Sequence, residues 1–302
     1  MAPEESTAEH ALADGERDLL EDDHPREECG VFGIYAPGED VARLSYFALF
    51  ALQHRGQESA GIAVGDGKRV RLRKAMGLVQ QVFHEDVLQN LYGNLAIGHV
   101  RYSTTGSSML CNAQPITAET PHGTVAVAHN GNLVNCAPLR EELAAEGVEF
   151  EGTNDSEVIA RLVARYHRGD LEEAVVRATE RIQGGYALVI LTAEKVIAVR
   201  DPHAIRPLCI GSLGGRGYVV ASESCALNVV GARFMREVEP GEMIILDADG
   251  MRERQALPAM GKRLCIFEFI YFARPDSNLY GRSLHLARRR MGHVLAEEHP
   301  AV

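Results

Sequence analysis

Cys29 stands at a seam in the sequence. Behind it lie 28 residues rich in acid and poor in large apolar side chains; at Cys29 the run Cys-Gly-Val-Phe-Gly-Ile-Tyr-Ala begins, alternating and β-rich in the manner of a buried strand. A lone cysteine at the start of a strand ordinarily serves as a small core residue. A cut between Glu28 and Cys29 would change that, because the thiol would then share its residue with a free α-amino group. Such an amine, with a pKa of about 7.7–8.0 against roughly 8.5 for the thiol, can act as general base for its own nucleophile, directly or through a water, with no histidine required.

Four polar blocks follow Cys29. They are His54–Gly61 (HRGQESAG), Gly98–Thr104 (GHVRYST), Ala128–Asn132 (AHNGN) and Gly152–Glu157 (GTNDSE). Each alone has a plain reading: Arg101 as a surface ion pair, His-Asn-Gly as a turn with glycine at positive φ, Asp155 as a helix cap. In this order behind a would-be N-terminal cysteine they are hard to set aside as four separate coincidences. The remaining cysteines say less. Cys111, Cys136, Cys209 and Cys225 have no metal-ligand spacing and read as core or loop thiols, and on spacing alone Cys265 is a core cysteine as well.

The formal charge of the 302-residue chain is −11, and it is concentrated in the head: residues 1–28 hold eleven acids and two bases, whereas the rest holds 31 acids and 29 bases. A nearly neutral body with an acidic head argues against a nucleic-acid binder of the basic-patch kind. The longest uncharged apolar stretch, around Tyr186–Ala193, is far too short to span a bilayer, and the head lacks the basic start and apolar run of a secretory signal. Six cysteines without a CxxC pair fit a reducing, cytoplasmic setting better than a disulfide scaffold.

These residues need elements to position them. The head, with Pro25 and few apolar residues, reads as weakly ordered. The spacing predicts a helix over Asp40–Gln53 and strands at Ser59–Val64, Arg69–Lys74, Leu95–Tyr102 and Thr124–His129. Helices are expected at Leu133–Ala145, Asp155–His167 (capped near Asn154) and Asp170–Ile182. Strands follow at Tyr186–Leu191, Lys195–Arg200, Leu208–Ile210, Gly217–Ala221, Phe234–Glu237 and Met243–Leu246, joined by short turns that favour antiparallel pairing. The order implies an α+β domain of two stacked sheets with helices outside, a four-layer αββα architecture. The pattern breaks at Leu257–Arg263, and Cys265–Ala273 with a helix at Ser283–Glu298 looks like the opening of another unit.

From Glu28 to about Val302 the chain resembles the class II, N-terminal-nucleophile (Ntn) glutamine amidotransferases. Within them it is similar to the purine-biosynthetic branch, on His54–Gly61, Arg101–Gly106, RDPHAIRP (Arg200–Pro207), ASESCAL (Ala221–Leu227) and CIFEFIYFARPDS (Cys265–Ser277). The resemblance implies an acidic prosegment over 1–28, an Ntn-hydrolase amidotransferase domain over 29–262, and the truncated start of a phosphoribosyltransferase domain over 263–302. It implies Cys29 as the nucleophile toward the amide of L-glutamine, forming a glutamyl thioester and releasing ammonia, with Asn130 and Gly131 as the oxyanion hole. Arg101 would hold the substrate α-carboxylate, where a bidentate fork is the suitable donor, and Asp155 the α-ammonium. Arg55 and Gly56 belong to a substrate-side block beside the nucleophile, and Arg101 to about Asn112 to a loop that closes over glutamine.

Cys265 matches the position that gives one thiolate to a [4Fe–4S] cluster in the prosegment-bearing branch; the other three ligands would lie beyond Val302. The full reaction implied is glutamine, phosphoribosyl pyrophosphate and water to 5-phosphoribosylamine, glutamate and pyrophosphate, with Mg²⁺ in the synthase domain and a homo-oligomer when full length. The acidic pair and small loop that grip a ribose phosphate are not found in the sequence, so this chain is expected to carry the glutaminase half only. Two competing readings are an amidotransferase with another acceptor, such as a sugar phosphate or aspartate, and an unprocessed, non-catalytic regulatory module.

Overall fold

The computed structural model describes residues 29–102 and 108–300. The prosegment expectation, and residues 103–107 of the expected glutamine loop, lie outside the described residues.

Strand β1 (Gly30–Tyr35) begins one residue after Cys29 and leads to helix α1 (Val41–Ala51), whose first turn is capped by the Asp40 carboxylate accepting from the Arg43 amide. A 3₁₀ turn (Gln53–Arg55) and strands β2 (Ser59–Gly65) and β3 (Val70–Met76) follow, then short helices α2 (Val79–Val82) and α3 (Glu85–Gln89) and strand β4 (Leu95–Arg101). Next come β5 (Ile116–Thr120), β6 (Gly123–Leu133), α4 (Cys136–Ala145), α5 (Asp155–Tyr166) and α6 (Leu171–Thr179). The chain then runs through β7 (Gly184–Leu191), β8 (Val196–Arg200), β9 (Cys209–Ser212), β10 (Tyr218–Ala221), α7 (Ser224–Val229), β11 (Arg233–Glu237), β12 (Glu242–Asp247) and β13 (Gly250–Gln255). A π-helical turn (Glu268–Phe272), the hairpin β14–β15 (Asn278–Leu279, Arg282–Ser283) and α8 (Leu284–Glu298) close the described part.

The strands form a seven-stranded sheet, β11-β9-β10-β1-β4-β2-β3, and a six-stranded sheet, β13-β12-β8-β7-β6-β5, with every described pairing antiparallel. Period-2 alternation sorts side chains between layers. In β7, Ala187, Val189 and Leu191 face the inter-sheet core, whereas Leu188 and Ile190 face α5 and α6. In β1, Val31 faces the inter-sheet core and Phe32 and Ile34 face the α1 side. Each such buried aliphatic contributes about 1.5–3 kcal/mol. Gly33 lets the sheets close up, since a Cβ there would lie 2.7 Å from Val189 Cγ1.

The expected four layers are therefore present, as are the Asn154 cap, which accepts from the Glu157 amide, and the antiparallel pairing. The helix expected to begin at Leu133 begins instead at Cys136, because β6 continues through Leu133 in register with β7. His-Asn-Gly consequently lies inside a strand rather than a turn, although Gly131 does take positive φ, +146°. The segment after residue 262 has a small core of its own (Phe269, Ala273, Leu279, Leu284) and is joined to the preceding elements by a buried ion pair described below.

Candidate active site

Sheet order brings Cys29 to its neighbours. β4 lies between β1 and β2, with Gly30 opposite Val100 and Ser59 opposite Arg101, so Cys29, Arg101 and Glu58 meet at one end of three adjacent strands. Cys29 is 9% exposed and its thiol donates to the Tyr102 carbonyl at 3.6 Å. The Arg101 guanidinium is buried and paired with the Glu58 carboxylate.

The second sheet supplies the opposite wall. His99 in β4 donates through Nε2 to the His129 carbonyl at 2.9 Å, and Gln114 Oε1 accepts from the His129 amide at 2.7 Å. These bonds clamp β6 immediately before Asn130. Burial pushes the His99 pKa down to about 3, so its ring stays neutral and its Nδ1 is left bare. At the far end of the same stretch, Asp155 Oδ2 accepts from the Leu133 amide at 2.9 Å while Oδ1 lies 3.5 Å from His129 Nδ1. Burial pushes the Asp155 carboxyl up, but His129 and the Leu133 amide outweigh it and hold it below the usual aspartate range. Asp155 is presented by the start of α5, where Asn112 pins the preceding residues by accepting from the Thr153 amide at 2.8 Å.

Cys29, Arg101, Tyr102, Gln114, His129, Gly131, Asn154, Asp155 and Ser156 line one cleft, with about 10 Å³ of free space between them. That is room for about one water. Asn130 sits between two of the lining residues, wholly buried, and neither its Nδ2 nor its Oδ1 has a hydrogen-bond partner among the described residues. An orphaned buried amide costs roughly 1–3 kcal/mol and is the group expected where a ligand completes the bonding.

The structure thus brings Cys29, Arg101, Gly131 and Asp155 to one cleft with Asn130 beside it. Arg55 and Gly56 do not line it. Arg55 is fully buried behind Cys29, and Gly56 packs so tightly on Arg101 that a Cβ would lie 2.6 Å from the Arg101 carbonyl carbon. Cys265 is half-buried, and no group of three or more His, Cys, Asp or Glu among the described residues could hold a metal ion. Cys265 offers one of the four thiolates that such a cluster takes, and nothing in the cleft chemistry is routed through one. No described helix is long and apolar enough to cross a membrane.

Sequence reasoning missed Gln114, whose amide makes both of its bonds to the His129 backbone across 15 residues. It also missed the role of RDPHAIRP, which is structural. Asp201, buried, accepts from the amides of Tyr186, His203, Ile205 and Arg206, and Arg200 donates to the carbonyls of Ala204, Arg206 and Val238.

Residues 99–229 match the family model described as a glutamine amidotransferase domain. The chain is 52% identical over 284 residues to an amidophosphoribosyltransferase of Synechococcus elongatus, covering 92% of this chain and 58% of the relative. It is likewise 52% identical over 283 residues to that of Synechocystis, covering 92% and 57%. Among solved structures, glutamine phosphoribosylpyrophosphate amidotransferase from B. subtilis, complexed with ADP and GMP, superposes with a TM-score of 0.85 at 41% identity over 91% of this chain and 59% of that one. The chain spans a little more than half the length of these curated relatives. Over the length it shares with them, the chain belongs to the amidophosphoribosyltransferase family, as its N-terminal glutamine amidotransferase region.

Proposed function

We propose that this region hydrolyses L-glutamine with Cys29 as nucleophile and, as part of a whole amidophosphoribosyltransferase, delivers the ammonia to phosphoribosyl pyrophosphate. The observation that supports it most is the unpartnered, buried Asn130 amide next to the Cys29 cleft. Cys29 Sγ adds to the side-chain carbonyl carbon of glutamine, and the resulting oxyanion takes hydrogen bonds from Asn130 Nδ2 and the Gly131 amide. Such a donor is worth roughly 2.7–4 kcal/mol of barrier. The C–N bond then breaks, ammonia leaves with the proton given up by the thiol, and water releases glutamate from the thioester. Arg101 and Asp155 hold the substrate carboxylate and ammonium; Glu58, now on Arg101, must share that cation with the substrate.

The general base is the Cys29 α-amino group, which becomes free only when the Glu28–Cys29 bond is cut, since an amide nitrogen has no basic lone pair to offer. Intact mass of the purified protein and a glutamine-to-glutamate assay test this together. Protein beginning at Cys29 should turn over glutamine, and Cys29→Ala in that protein should be soluble and inactive. Normal turnover by Cys29→Ala, or by chain that still carries residues 1–28, would overturn the nucleophile assignment. An iron–sulfur cluster on Cys265 and a Mg²⁺ site remain attributes of the proposed whole enzyme, to be sought by visible absorbance and metal analysis of that enzyme.

A further inference from the structure

Two sequence blocks with no part in the chemistry above, ASESCAL and CIFEFIYFARPDS, meet behind the nucleophile. Arg55, at the end of the 3₁₀ turn, has its guanidinium wholly buried. Its Nε donates to the Cys29 carbonyl at 3.0 Å, its Nη1 to Glu223 Oε1 at 2.7 Å and Glu268 Oε2 at 2.9 Å, and its Nη2 to Glu268 Oε1 at 2.6 Å. Both carboxylates are buried as well. Glu223 is held in turn by His54 Nε2 at 2.8 Å, the Ser277 hydroxyl at 2.7 Å and the Arg274 amide at 2.9 Å. The adjacent Ser222 exchanges bonds with Val31, its hydroxyl accepting from the Val31 amide and its own amide donating to the Val31 carbonyl.

We propose that Glu223 and Glu268 are positioning residues for the nucleophile, acting through Arg55 to fix the Cys29 carbonyl and with it the orientation of the thiol and α-amino group. This rests on the reading of Cys29 as an N-terminal nucleophile. At a processed N-terminus no preceding residue restrains Cys29, so its carbonyl is the one backbone acceptor through which its ψ can be held. Arg55 Nε takes that acceptor, and the fork of Arg55 is locked by two carboxylates from segments 168 and 213 residues away. Three buried ionic side chains are no requirement of stability, since desolvation offsets most of the Coulombic gain and an apolar set of similar volume serves as well. What they add is direction: a planar fork with fixed partners aims Nε at one point. Residues 265–277 thereby become part of the support of the glutaminase site rather than a separate neighbour.

The test uses protein beginning at Cys29 with Glu268→Gln, Glu223→Gln and Glu268→Asp, and the apolar pair Arg55→Met/Glu268→Met. Glutamine turnover, thermal midpoint and the rate of Cys29 carbamidomethylation by iodoacetamide, read by mass, are measured for each. Because displacement of a reacting group by about 1 Å can cost 10²-fold, the two Gln variants should lose about 10- to 100-fold in kcat with KM within about twofold. Cys29 alkylation should change by about fivefold or more, and Glu268→Asp should recover part of both. The Met pair should fold with a near-parental midpoint and yet keep the kcat and alkylation defects. Gln variants that fold with parental kcat and alkylation rate, or a Met pair with parental values of both, would overturn the proposal. Absence of turnover in the parent would instead overturn the glutaminase reading, and the alkylation rates would then decide the positioning role alone.

Discussion

Replacing Asn130 by alanine should move activity and stability in different directions. The Asn130 side chain is fully buried, and both of its polar atoms lack partners among the described residues. In the resting protein it therefore carries an unpaid desolvation cost of roughly 1–3 kcal/mol. Alanine removes that cost and leaves a small void, worth on the order of 1–2 kcal/mol in the opposite sense. The two nearly cancel, so at about 2–4 °C per kcal/mol for a domain of this size the thermal midpoint should stay within about 4 °C of the parent or rise. In the proposed reaction the same amide would face a developing oxyanion, and its loss should then lower kcat by about 10²- to 10³-fold. The assay is glutamate release from glutamine by protein beginning at Cys29, alongside thermal unfolding of both proteins. Asn130→Ala with kcat within threefold of the parent would refute the oxyanion role. A midpoint lowered by 10 °C or more would show that the amide is bonded and structural, which removes the reasoning from its orphaned state.

Three further outcomes follow from the cleft. Gly56→Ala should raise KM for glutamine about tenfold or more, because the added Cβ would fall 2.6–2.8 Å from three backbone atoms of Arg101; steady-state kinetics with an unchanged KM would contradict this. Gly131→Ala should destabilise by several kcal/mol in denaturant titration, since φ is +146° and a Cβ would lie 2.1 Å from the Gly185 carbonyl oxygen. His99 gives a pH signature. Its folded pKa of about 3 lies below the ordinary value of 6.5, so the unfolded chain binds the extra proton and stability falls as pH drops through that interval. Between pH 7 and pH 5 the loss attributable to His99 is about 2 kcal/mol, and His99→Gln should remove that slope from the pH dependence of unfolding.

The inner strands were legible because both faces are buried and their runs are continuous or alternating, as in β1, β2, β4, β7 and β8. β13 was not, because its Gly-Met-Arg-Glu-Arg-Gln run is a polar edge strand whose existence depends on pairing with β12. The end of β6 was misplaced for a related reason: polar Asn130 and Asn132 carry no apolar alternation, and the partner that keeps them extended, β7, lies some 55 residues on. The cleft residues were legible by type, and four of the family-derived positions, Cys29, Arg101, Gly131 and Asp155, line one cleft. Behind Cys29, the sequence placed Arg55 nearby but not its buried carboxylate partners. Arg55 looked like part of a substrate block, and the identity of its partners is a matter of tertiary distance that no local pattern encodes. Gln114 escaped for the same cause, being a backbone clamp with no periodicity or motif to mark it.

The position of β4 between β1 and β2 has a consequence for how this domain tolerates change. Cys29, Arg101 and Glu58 are set at one end of a three-strand ladder whose register runs unbroken from Gly30 to Tyr35 and from Ser59 to Gly65. A single inserted residue within any of the three would turn its remaining side chains to the opposite face and break up this grouping. Length can vary freely only where the ladder ends away from Cys29, in the turns around residues 36–40, 66–69 and 90–94. Insertions tolerated across a random library should cluster there, making that rim the natural place to attach a tag or a reporter without disturbing the thiol.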